Sequence, residues 1–188
     1  MARVDDLVDY LRGSTSLDVV CHDDPDPDCI ASAATLKWIA ENSGVANVRL
    51  LYGGRVSHQQ NREMVRQFGL HLVSLAAAGR PLADRVAFVD HAVPGSHTQL
   101  PAGTPVDVVI DHHQHDRPVY ADFIDLRPYY GATSTIMVEY LAGVVNPPPV
   151  NLASMLLFAI HRERLDHVRN PTHHEYDAAL FLNSHASQ

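Results

Sequence analysis

Apolar residues come in short runs separated by polar, turn-rich loops, and helical spacing fills most of the intervals between runs. LDVVCH (17–22), NVRLLY (47–52), RVAFVDHA (85–92) and VDVVIDHH (106–113) read as strands, and HLVSL (71–75) as a weaker one. Leu7, Val8 and Leu11 predict a short amphipathic helix over residues 5–11. Further helices are predicted over 29–42, 57–69, 132–143, 150–163 and 172–183. Gly69 would end the helix over 57–69, and a Thr or Ser near 132 would cap the one beginning there. Strands alternating with helices predict an α/β fold, a parallel sheet with helices on both faces in a doubly wound, three-layer arrangement.

A chain of 188 residues carries one sizeable core, so a single domain over 1–188 is expected. Apolar residues make up 46% and charged residues 19%, the balance of a chain that folds. The net charge of −8 excludes gripping long nucleic acid by charge alone. No apolar run approaches the roughly 18 residues of a membrane span, and the acidic, amphipathic N-terminus is unlike a signal peptide, so a cytoplasmic location is expected, with no membrane partner. Cys21 and Cys29 lack C-x-x-C spacing and read as reduced packing residues.

In an open parallel sheet, ligands bind beyond the carboxyl ends of the strands. Three predicted strands end there in metal-binding side chains: His22 with Asp26 and Asp28, then Asp90 with His91, then Asp111 with His112 and His113. Carboxylates and imidazoles without thiolate suit Mn²⁺, or Mg²⁺, better than a structural zinc. So many carboxylates in one place imply cations, because their mutual repulsion and desolvation are otherwise costly. Two divalent ions sharing a carboxylate can generate hydroxide and clamp a phosphoryl group, which predicts hydrolysis of a phosphoester or phosphoanhydride.

These residues carry a family resemblance. CHDDPDPDCIAS resembles motif I of the DHH phosphoesterases, His-x-x-Pro-Asp-x-Asp, through His22, Pro25, Asp26 and Asp28. FVDHAVPG resembles motif II, with Asp90, and VVIDHHQH contains the Asp-His-His triplet at Asp111, His112 and His113, with order and spacing agreeing over roughly 17–166. The resemblance implies that His22, Asp26 and Asp90 hold one ion and that Asp28, Asp90 and His112 hold the other, with Asp90 bridging. It implies that His113 faces the substrate phosphate and that Asp111 orients the histidines. GATSTIM resembles the family's helix start after the triplet, whose backbone amides could meet an anion.

The pattern departs in two places. Where the family's fourth motif reads Gly-Ile-x-x-Asp-Thr, this chain has AIHRER (159–164), so Glu163 stands for the Asp that completes the second ion, with Asp166 as a competitor. The family's smaller C-terminal substrate-binding domain, with its Gly-Gly-Gly-His segment, has no match in these residues, so the chain is expected to be either a fragment of a larger protein or a single-domain form whose cleft is open or is closed by a second copy or a partner domain. The resemblance therefore implies two-metal, Mn²⁺-dependent hydrolysis of short nucleotide substrates: an oligoribonucleotide, a cyclic dinucleotide or a 3′-phosphonucleotide. The alternatives are a manganese-dependent inorganic pyrophosphatase and a binding or regulatory module that keeps the fold with weakened catalysis.

The remaining polar residues have plainer readings. His91 and His97, taken singly, read as solvated turn residues, and Asp23 and Asp24 as turn formers and helix-capping charges near a helix start. His161, His167, His173 and His174 show no convergent pattern and read as surface positions, while RERLDHVR reads as a salt-bridged helix face. Arg55, Arg117 and Arg127 read as surface arginines.

Overall fold

The computed structural model describes residues 2–79, 81–145, 147–166 and 172–187. Within these residues, six strands form one all-parallel sheet: β1 (Ser16–Cys21), β2 (Asn47–Tyr52), β3 (Leu72–Ser74), β4 (Arg85–Val89), β5 (Val108–Asp111) and β6 (Phe123–Leu126). Among the described residues, seven helices accompany them: α1 (Ala2–Leu11), α2 (Pro27–Asn42), α3 (Gln59–Gln67), α4 (Leu75–Ala78), α5 (Thr133–Val144), α6 (Val150–Asp166) and α7 (His173–Asn183).

The strand order is β3-β2-β1-β4-β5-β6. The chain therefore winds outward in one direction from β1 and in the other from β4, and the topological switch lies between these neighbours. Right-handed crossovers place the connections of the two halves on opposite faces. The buried residues agree. Leu17, Val19, Ala87, Val89, Val108 and Ile110 face a large core formed with α1, α2, α5, α6 and α7, whereas Val20, Leu51, Val86, Phe88 and Val109 face a smaller one. That second layer is thin, made by α4 and by loop residues such as Ala92, Leu100, Val106 and Val119. Among the described residues, no helix is long and apolar enough to cross a membrane.

The strands stop earlier than their apolar runs suggest. β4 ends at Val89 because Asp90 turns out of the strand with φ +66°, its amide still donating to the Ile110 carbonyl at 3.0 Å. β5 ends at Asp111, which leaves His112 and His113 beyond the sheet edge. Two elements escape the sequence pattern. α4 is a single turn, capped by the Ser74 hydroxyl, and β6 carries Asp125 on its core-facing side. Asp125 is tolerated there because Arg127 and the Tyr140 hydroxyl donate to it. Gly69 ends α3 with φ +62° as the pattern suggests, leaving Gln67 as its last helical residue.

Candidate metal centre

The carboxyl ends of β1, β4 and β5 bring the donor-bearing loops together at the topological switch, where such sheets bind ligands. From β1, the turn 22–26 runs straight into α2. Asp26 is the N-cap of that helix, its Oδ1 accepting the Cys29 amide at 2.9 Å, and Pro27 occupies the first turn, where no amide is needed. Asp23 and Asp24 do not cap α2. Asp24 instead accepts the Ser57 amide at 2.8 Å, and Asp23 accepts the Gln99 amide at 3.2 Å, so the two fix neighbouring loops.

Asp90 sits at the centre, 4% exposed. One donor cluster comprises His22, Cys29 and Asp90, and another comprises Asp90, His112 and His113, with the donor atoms of each within 4.8 Å of one another. Both clusters use Asp90. His22 Nε2 is 3.6 Å from Asp90 Oδ2 and 3.9 Å from Asp26 Oδ1, while His112 Nε2 is 3.6 Å from Asp90 Oδ1 and 3.8 Å from Asp28 Oδ2. These separations are too long for hydrogen bonds and leave room between donors. Each imidazole is aimed by its other nitrogen: His22 Nδ1 pairs with the Asp23 carbonyl at 2.9 Å and His112 Nδ1 with the Tyr130 carbonyl at 3.1 Å. Metal-binding histidines are held in this way. His112 Nε2 is buried without a hydrogen-bond partner, an orphan that a cation would satisfy.

The electrostatics point the same way. Burial pushes the Asp90 carboxyl well above its usual range, and the nearby Asp28 charge adds to this; Asp28 is also pushed up, again chiefly by burial. Burial works against the charged form of His22, yet Asp26 and Asp90 outweigh it and push the imidazole up to about 11. His112 goes down through burial. Without cations, the cluster therefore retains protons where positive charge is wanted. The donor set fits divalent ions.

The start of α5 corrects one expectation. Its N-cap position is Ala132, which makes no side-chain cap, and the amides of Thr133 and Ser134 donate to the two oxygens of Asp28 at 2.8 and 2.6 Å. The anion met by this helix is a carboxylate of the chain itself. The Thr133 hydroxyl donates to Asp90 Oδ1 at 2.8 Å, a contact that sequence reasoning missed.

Asp111 holds a different pair of histidines from the one the triplet suggests. Its Oδ1 pairs with His113 Nδ1 at 2.8 Å and its Oδ2 with His115 Nε2 at 2.7 Å, whereas His112 is oriented by backbone. Despite burial, the two histidines hold the Asp111 carboxyl down at about 2, and Asp111 in turn raises His113 to about 9. His115 was missed, although the pattern His-His-Gln-His placed it two residues beyond the triplet.

A cavity of about 770 Å³ opens over the cluster, lined by His22, Asp26, Asp90, His91, His97, His113, His115, Arg117 and Glu163 among others. Glu163, on α6, is 8% exposed; the Asp166 side chain lies outside the described residues. His91 is not a solvated turn residue. It is 6% exposed and stacked on Phe88 with centroids 4.2 Å apart, and burial lowers its imidazole to about 3. His97 is exposed. Arg117 lines the cavity, and Arg127 is held by Asp125 and Glu139 rather than lying loose on the surface. Of the C-terminal histidines, His161 and His173 are exposed, and His174 stacks on Tyr130 at 4.1 Å; His167 lies outside the described residues, as do the side chains of RERLDHVR from residue 164 onward.

Known proteins resemble this chain in sequence and in fold. The chain is 32% identical over 168 residues to an uncharacterized protein of Methanocaldococcus jannaschii, covering 89% of this chain and 34% of that protein, so it spans about a third of the relative's length. A crystal structure from Methanococcus jannaschii, described as a candidate family II inorganic pyrophosphatase, superposes with a TM-score of 0.67 at 22% identity, covering 90% of this chain and 55% of the other. An exopolyphosphatase-related protein from Bacteroides fragilis superposes with a TM-score of 0.69 at 14% identity, covering 97% and 56%. At such identities the two structures speak for the fold alone. Residues 17–160 match the sequence profile described as DHH family, N-terminal domain, and the chain belongs to the DHH family.

Proposed function

We propose that this chain is the hydrolytic domain of a metal-dependent phosphoesterase, with His22, Asp26 and Asp90 holding one divalent ion and Asp28, Asp90 and His112 the other. The observation that carries this reading is the position of Asp90, whose two oxygens face the Nε2 atoms of His22 and His112 at 3.6 Å each. Bound ions there supply Lewis-acid activation of water and of a phosphoryl group. Mn²⁺ is the ion we assign, since the expected ligands are oxygen and imidazole.

The chain's own groups do the rest. Asp111 fixes His113 through a 2.8 Å bond, so that His113 presents its other nitrogen as a positive donor to an anion in the cavity. His115 holds the second oxygen of Asp111 and keeps the pair from rotating. Thr133 fixes the Asp90 carboxylate, and the amides of Thr133 and Ser134 fix that of Asp28. Glu163 lines the same cavity as His22, Asp26 and Asp90 and is the candidate to complete the second ion's ligands. The exposed rim residues Ser96, His97 and Arg117 are placed to meet further phosphate or hydroxyl groups.

A short nucleotide substrate is favoured by the cavity, whose volume of about 770 Å³ exceeds what an inorganic diphosphate needs. The second reading is cleavage of pyrophosphate or a longer phosphoanhydride, favoured by likeness of fold to the two solved structures named above. Hydrolysis of a dinucleotide, a nitrophenyl phosphate ester and pyrophosphate, each with Mn²⁺, separates them. Faster turnover of the dinucleotide supports the first reading, preferential pyrophosphate cleavage replaces it with the second, and no turnover of any substrate favours a binding or regulatory module.

A further inference from the structure

Cys29 has a setting that a packing cysteine does not need. Its Sγ belongs to the cluster with His22 and Asp90, the donor atoms all lying within 4.8 Å of one another. The residue is fully buried in the first turn of α2, its amide fixed by Asp26 Oδ1. Its thiol donates to the carbonyl of Val89, the residue before Asp90, at 3.5 Å. The thiol lies at the border of the large apolar core, with Cys21 beside it, and on its polar side it meets an imidazole and a carboxylate. The second cluster, formed by Asp90, His112 and His113, contains no sulfur.

Resting on the reading that these residues take divalent ions, we infer that Cys29 is an additional metal ligand, which makes the first position a mixed imidazole, carboxylate and thiolate site for Zn²⁺, Co²⁺ or Cd²⁺. Thiolates select softer ions, and oxygen donors select Mn²⁺ and Mg²⁺. Binding exchanges the thiol proton for the metal: the S–H bond breaks, the S–metal bond forms, and the proton passes to solvent. The two positions that share Asp90 are then unequal, the first preferring a soft or borderline ion and the second a hard one.

The test is the optical spectrum of the full chain titrated with Co²⁺, because a thiolate ligand gives a near-ultraviolet charge-transfer band that oxygen and nitrogen ligands do not. The band is expected in the wild type and in Cys21→Ser, and absent from Cys29→Ser and Cys29→Ala. Cd²⁺ affinity is expected to fall about ten-fold or more in the Cys29 variants while Mn²⁺ affinity stays within about three-fold. Absence of the band from the wild type, its persistence in Cys29→Ser, or an equal loss of Cd²⁺ and Mn²⁺ affinity overturns the inference. The spectra of wild type and Cys21→Ser together decide even if a Cys29 variant fails to fold. Mn²⁺ uptake separates two failures: a wild type that binds Mn²⁺ but shows no band removes only the role of Cys29, whereas one that binds no divalent ion removes the metal site as well.

Discussion

The Thr133 hydroxyl donates a 2.8 Å hydrogen bond to Asp90 Oδ1, the oxygen that also faces His112 Nε2. Both residues are buried, so the bond fixes the carboxylate rotamer that both clusters share. Thr133→Val keeps the shape and removes the donor. Loss of an outer partner of this kind is expected to weaken Mn²⁺ binding about ten-fold. Calorimetric titration checks this, and affinity within two-fold of wild type would show that Asp90 is held by other means.

Metal binding should release protons. With no cation present, Asp26 and Asp90 outweigh burial and push His22 up to about 11, so at neutral pH the imidazole is protonated where a ligand must be neutral. Mn²⁺ affinity should therefore strengthen as pH rises and weaken as it falls, with about one proton or more released per ion bound at the first position. Titrations in two buffers of different ionisation enthalpy measure that number. Heats that do not depend on the buffer would argue against His22 as a ligand.

His91 should make the fold acid-sensitive. Burial lowers it to about 3, so as pH drops below the unfolded value of 6.5 the unfolded chain takes up a proton that the folded chain refuses. This contribution to stability is fully present above 6.5 and is lost progressively as pH falls toward 3. Between pH 6.5 and about pH 5 the loss is about 2 kcal/mol. Urea denaturation of wild type and His91→Phe at both pH values isolates the term, because the other titrating groups cancel in the difference. Equal pH dependence in the two proteins would show that His91 titrates normally.

Glu163→Asp restores the carboxylate length found in the family's fourth motif. If the longer side chain weakens the second position, Mn²⁺-dependent hydrolysis should rise about ten-fold or more, since a misplaced ligand is costly in a positioned site. Steady-state rates on whichever of the three test substrates the wild type cleaves fastest decide it, and unchanged rates would show that Glu163 serves as well as Asp.

The donors on the sheet edge were legible because each closes an apolar run: His22 after LDVVC, Asp90 after RVAFV, and Asp111 with His112 after VDVVI. Contacts between distant segments left no local trace. Asp28 accepts amides from residues 105 and 106 positions away, and a Thr or Ser beside a helix start reads from sequence as its own cap. His91 reads from sequence as a solvated turn residue because it stands just past a strand end; instead the chain turns at Asp90 with a positive φ and His91 stacks on Phe88. β6 was hidden by Asp125, a charge in a strand made acceptable only by Arg127 and Tyr140.

The central claim is a pair of divalent ions joined by Asp90, and the most direct measurement is the number of Mn²⁺ ions bound per chain by wild type and by Asp90→Asn. The account predicts two for wild type and, in the variant, loss of at least one ion together with loss of hydrolysis, because a bridging carboxylate serves both positions. One ion or none in wild type, or two ions retained in Asp90→Asn, would contradict it.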